Sequence, residues 1–137
     1  MVDEGRVARL LRGVSDRVAR LGEAGATPVA DRGPLWLDGV KYLLITAVEA
    51  CVDVAQHIGS SEGFSAPDSN ADAIRTLGER GVLTRELAAS LARAVGFRNV
   101  LVHQYTTVDD TIVMAELDHL DEFDAFVTQV SSWVLAH

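Results

Sequence analysis

Arg98, Asn99, His103 and Tyr105 fall within the run RNVLVHQY, and their side chains suit one kind of chemistry. A guanidinium stays protonated and matches the oxygens of a phosphate. An imidazole moves a proton near neutral pH. Together they are a minimal kit for breaking a phosphodiester without a metal: the arginine steadies the charge that grows on the phosphate, and the histidine serves as general acid or base.

Spacing decides whether they meet. The run closes a stretch that begins at Thr84 and reads as one long helix. At 100° per residue, Leu87, Leu91, Ala94, Val95, Leu101 and Val102 lie within roughly 60° of Arg98, and Tyr105 is nearly in line, roughly 10 Å along the axis. An arginine in an apolar seam needs an anion. It is either a carboxylate on a neighbouring helix, in a structural salt bridge, or a ligand such as phosphate. His103 lies roughly 140° around the helix from Arg98, beside Asn99. Either the helix unwinds near Val102, or the site takes groups from two chains across a symmetric interface, which an apolar seam carrying an arginine suits better.

Arg, four residues, His, one residue and Tyr (RX4HXY) resembles the signature of HEPN-domain toxins of the HepT family. The resemblance covers almost the whole chain: its length, its all-helical pattern and a motif at the end of a long helix. It implies an all-α antiparallel helical bundle, homodimeric, with a metal-independent RNase site in the interface cleft. It implies the toxin of a type II/VII-like toxin–antitoxin pair, with RNA as substrate and no cofactor. The partner would be a small nucleotidyltransferase antitoxin that attaches AMP to the motif tyrosine, here Tyr105. Arg98 and His103 would be catalytic and Asn99 supporting, while AMP on Tyr105 would add bulk and negative charge where RNA must lie.

The elements that must position these groups are legible from periodicity. Residues 2–22 carry Val7, Leu10, Leu11, Val14, Val18 and Leu21 at helical spacing, with Arg6, Arg9, Arg12, Arg17 and Arg20 between them. Such charges read first as a solvated face. Residues 22–34 hold too many Gly and Pro residues for a helix. A second helix is expected over residues 34–58, with Pro34 in its first turn and Gly59 as its stop. Its core stripe is Leu37, Val40, Leu44, Val48, Cys51, Ala55 and Ile58. A polar ridge carries Tyr42, Thr46, Glu49, Asp53, Gln56 and His57. Asp53 and His57 are the expected supporting members of the site, orienting the imidazole or guanidinium; as a metal pair they lack a third ligand, so no metal is assigned.

Further along, residues 59–70 read as a loop pinned by Phe64, and Asn70 as the cap of a short helix ended by Gly81. Thr84 caps the motif helix. Gly96 within it suggests close backbone approach, by a partner chain or by simple helix packing. Asp109 is a cap candidate after the break at residues 106–110, a short apolar segment spans residues 112–117, and a last helix spans about residues 121–135. At 137 residues the chain is expected to form one domain, residues 1–137, of four main helices plus short ones. With no membrane span or N-terminal signal pattern it reads as cytoplasmic. The single Cys51 reads as core. A net charge of −8 argues against nucleic-acid binding by overall field and leaves room only for a local basic cleft. Two other classes stay open: a non-catalytic helical partner of a nucleotidyltransferase, and a nucleotide-binding bundle that breaks no bond.

Overall fold

The computed structural model describes residues 2–137 and is all-α. In chain order the helices are α1 (Glu4–Gly25), α2 (Pro34–Ser61), α3 (Asn70–Glu79), α4 (Arg85–His103), α5 (Asp110–Ala115) and α6 (Leu120–Ala136), with 3-10 turns at Val29–Asp31 and Glu116–His119. Thus α1, α2, α4 and α6 form the frame and α3 and α5 are short. Among the described residues there is no strand, and no helix is long and apolar enough to cross a membrane.

Most helix starts follow local chemistry. Thr84 Oγ1 accepts from the Leu87 amide at 3.2 Å, and Asp109 Oδ1 from the Thr111 amide at 2.9 Å, as expected of caps. Gly81, at φ +78°, supplies the left-handed residue just beyond α3. Three boundaries differ from expectation. Ser69, not Asn70, caps α3, its hydroxyl accepting from the Asp72 amide at 3.1 Å. Helix α2 runs through Gly59 to Ser61, and Gly63, at φ +72°, makes the turn. Helix α1 continues through Gly22 to Gly25. A glycine inside a helix costs only about 1 kcal/mol. Fully buried Leu21 and Ile58 anchor the turns before these glycines, and Trp36 and Arg32 donate to the Ala24 and Gly25 carbonyls at the end of α1.

Cross-links between helices set their direction. The start of α1 meets the end of α2, where His57 Nε2 accepts from the Asp3 amide at 3.2 Å. The end of α1 meets the start of α2, where Trp36 Nε1 donates to Ala24 at 3.1 Å. These helices are therefore antiparallel, and so are α2 and α4, since Glu49 faces Arg98 while the earlier Lys41 faces the later Tyr105.

The core has two parts. The larger includes Val14, Val54, Ile58, Ile74, Leu77, Phe126 and Val130, along with Cys51, whose burial pushes its thiol pKa far up. The smaller joins Leu21, Val40, Leu44, Leu101 and Val113, and Leu120 borders both. This smaller cluster ties the end of α4 to α1, α2 and α5, and so fixes where the motif run leaves the helix.

Candidate functional site

The α4 seam exists, but Arg98 lies at its rim. Leu87, Leu91, Val95 and Leu101 are buried, whereas Val102 is exposed and the Arg98 side chain keeps 24% of its surface. One Arg98 Nη pairs with the Glu49 carboxylate of α2, and the other donates to Asn99 Oδ1 at 3.1 Å. The Nε–H is buried with no acceptor. Of the two anions left open by the sequence, this chain supplies a carboxylate. Spacing on α2 puts Glu49 and Asp53 on one ridge, but how far α4 slides along that ridge depends on packing, so Glu49 was not singled out.

A cleft of about 200 Å³ opens beside the pair, lined by Glu49, Asp53, Gln56, Asn70, Val95 and Arg98. Asp53 thus does stand near Arg98. Burial, and then the Glu49 charge beside it, push its carboxyl pKa up, with Arg6 opposing. His57 is not brought into this cleft. It instead accepts from the amide of Asp3, the cap residue of α1, a structural duty that replaces the expected supporting role. Gly96 also loses its expected explanation within the chain, because a Cβ there would meet nothing within 4 Å.

His103 ends α4. The helix holds its form through His103, so unwinding near Val102 does not occur, and His103 stays roughly 140° around the helix from Arg98. Its imidazole is exposed and has no side-chain partner among the described residues.

Tyr105 is not in line with Arg98, contrary to the helical projection. The backbone turns away at Gln104 (φ −127°, ψ 39°) and folds Tyr105 back over α2. There its hydroxyl donates to the Asp38 carbonyl and carboxylate, both at 3.3 Å. Lys41 Nζ donates to the Tyr105 carbonyl at 3.0 Å and sits 4.8 Å from the ring centre. Burial, with the Asp38 charge and hydrogen bond, pushes the Tyr105 hydroxyl pKa up. Lys41 is the one buried polar or charged residue among those described. The sequence did carry the signal: Lys41 falls between Leu37 and Leu44 on the apolar stripe, the same anomaly that singles out Arg98.

A model of the HepT-like ribonuclease family matches residues 25–130, which include Arg98, His103 and Tyr105. The chain belongs to the HepT-like ribonuclease family. It is 31% identical to the mRNA nuclease HepT of Shewanella oneidensis over 96 residues, 69% of this chain and 72% of that protein. It is 33% identical to the tRNA nuclease HepT of Aphanizomenon flos-aquae over 96 residues, 69% of this chain and 65% of that one. Among solved structures it resembles the tri-AMPylated HEPN toxin of Shewanella oneidensis in complex with MNT antitoxin. The TM-score is 0.86 at 25% identity, with 96% of this chain and 99% of that chain covered. The resemblance read from RNVLVHQY is thereby borne out at the level of family and fold.

Proposed function

We propose that this HepT-like chain is an endoribonuclease toxin whose active site is composed from two copies of the chain. The observation that carries this reading is the continuity of α4 through His103, which keeps the motif's imidazole well around the helix from Arg98. A second copy is the simplest source of the missing group. Exposed apolar side chains on the same two helices, Tyr42 on α2 and Val102 on the Arg98 side of α4, support a contact surface there.

In the reaction, a ribose 2′-oxygen attacks the adjacent phosphorus while its proton passes to one histidine. The bond from phosphorus to the 5′-oxygen breaks, and the leaving oxygen takes a proton from water, leaving a 2′,3′-cyclic phosphate and a 5′-hydroxyl. His103 of one copy is the base, set across the interface from Arg98 of the other. Arg98 holds the scissile phosphate and stabilises the charge that develops on it, with Asn99 setting the plane of the guanidinium. No metal takes part. The solved relative that is tri-AMPylated and bound to an MNT antitoxin supports a matching nucleotidyltransferase partner; the residue we assign as modified is the motif tyrosine, Tyr105.

The test compares wild type, Arg98→Ala and His103→Ala for growth arrest on expression and for RNA cleavage in EDTA. Wild type is expected to cleave and arrest growth, and each variant to lose about 100-fold or more in rate. The internal pairing of Arg98 with Glu49 favours a second reading, in which the chain is a non-catalytic partner of a nucleotidyltransferase. Equal behaviour of all three proteins would remove the nuclease reading and leave the non-catalytic ones.

A further inference from the structure

The geometry points to Lys41 and Asp38, one turn of α2, as a latch that positions the motif's tyrosine and histidine and that opens when Tyr105 is modified. The buried ammonium is expensive to desolvate and is retained where its donors are met. It faces the Tyr105 carbonyl at 3.0 Å, the Tyr105 ring at 4.8 Å and the Asp110 carboxylate at 3.7 Å. Those three contacts grip both ends of the segment between α4 and α5. Asp38 holds the remaining end of the tyrosine through its hydroxyl. His103 lies two residues before Tyr105, and the turn between them closes on the amide bonds of Gln104 to Val100 and of Thr107 and Val108 to Gln104. Holding Tyr105 therefore holds the end of α4 and the imidazole on it.

This proposal rests on the reading that His103 is catalytic and Tyr105 is the modified residue. Nucleotidyl transfer to Tyr105 would join the phenolic oxygen to the α-phosphorus of a nucleoside triphosphate, expel pyrophosphate and release the phenolic proton to water. The product can no longer donate to Asp38, and it sets a phosphodiester charge against that carboxylate. Modification then displaces the turn carrying His103 as well as blocking the cleft.

The experiment follows Lys41→Met and Asp38→Ala in the full chain by RNA cleavage kinetics and by hydrogen exchange of the amides at residues 104–108. Lys41→Met is expected to lower kcat about 10- to 100-fold with KM within about twofold, because the misplaced group is His103 and not the phosphate-holding Arg98. Exchange at residues 104–108 should quicken about tenfold or more while α1 and α6 stay protected. Asp38→Ala should move both readouts the same way by less. Wild-type kcat together with wild-type exchange in Lys41→Met would overturn the latch. Absence of cleavage by the wild-type chain would defeat the RNase reading alone, and exchange at residues 104–108 would still decide whether the latch exists.

Discussion

Arg98 is useful to a phosphate only if its pairing with Glu49 can be exchanged. The guanidinium already has one anion and one amide oxygen, so under the proposed function RNA would compete with a carboxylate for the same charge. A solvent-exposed pair is worth about 0.2–1 kcal/mol; this one is half-buried, with Glu49 keeping 45% of its side-chain surface and Arg98 24%. Glu49→Gln is therefore expected to lower the KM for RNA by up to about fivefold with little change in kcat, measured by initial rates at low salt. An increase in KM would mean that Glu49 aims Arg98 more than it competes for it. The residues themselves were legible in the sequence, because Arg98 and Lys41 each interrupt an apolar stripe. Their partners were not, since Glu49, Asp53 and Gln56 share one ridge and only packing selects which of them meets α4.

Helix ends are decided locally, and that is why most of them could be read. A side-chain oxygen at Thr84 or Asp109 finds an amide two or three residues on, whatever the rest of the chain does. Glycines were harder, because the same residue ends a helix, fills one or allows close contact according to its surroundings. Gly78 is the close contact: a Cβ there would lie 2.6 Å from the Ala88 Cβ, where α3 crosses α4. Gly78→Ala is expected to destabilise the chain by about 1–3 kcal/mol through overpacking. Gly96→Ala, with open space around it, should stabilise the monomer by about 0.5–1 kcal/mol. Urea unfolding of both variants checks the pair. Loss of stability at Gly96, if it grows with protein concentration, would place that face of α4 against a second copy.

The whole molecule sets a limit on how RNA is held. With a net charge of −8, the chain repels a polyanion at long range, so the proposed RNA binding would depend on a few local arginines and fall as salt rises. One copy also presents its guanidinium and its imidazole on different sides of α4. Both facts suit the proposed cleft between two chains, in which two Arg98 side chains and two His103 side chains would converge. The fold class was legible at this scale, since helical periodicity runs through nearly every segment. The turn after His103 was not, because Tyr105 projects in line on an ideal helix and only Asp38 and Lys41, more than 60 residues earlier, draw it aside.

Mixing tests the two-chain site directly. Arg98→Ala and His103→Ala, each inactive alone, are unfolded together, refolded to exchange subunits, and assayed for RNA cleavage. A mixed dimer holds one intact Arg98 and one intact His103 on opposite chains, so activity is expected to return, to about a quarter of wild type if each pair of groups works independently. A mixture that forms mixed dimers yet stays as inactive as either variant alone would contradict a site shared between two copies.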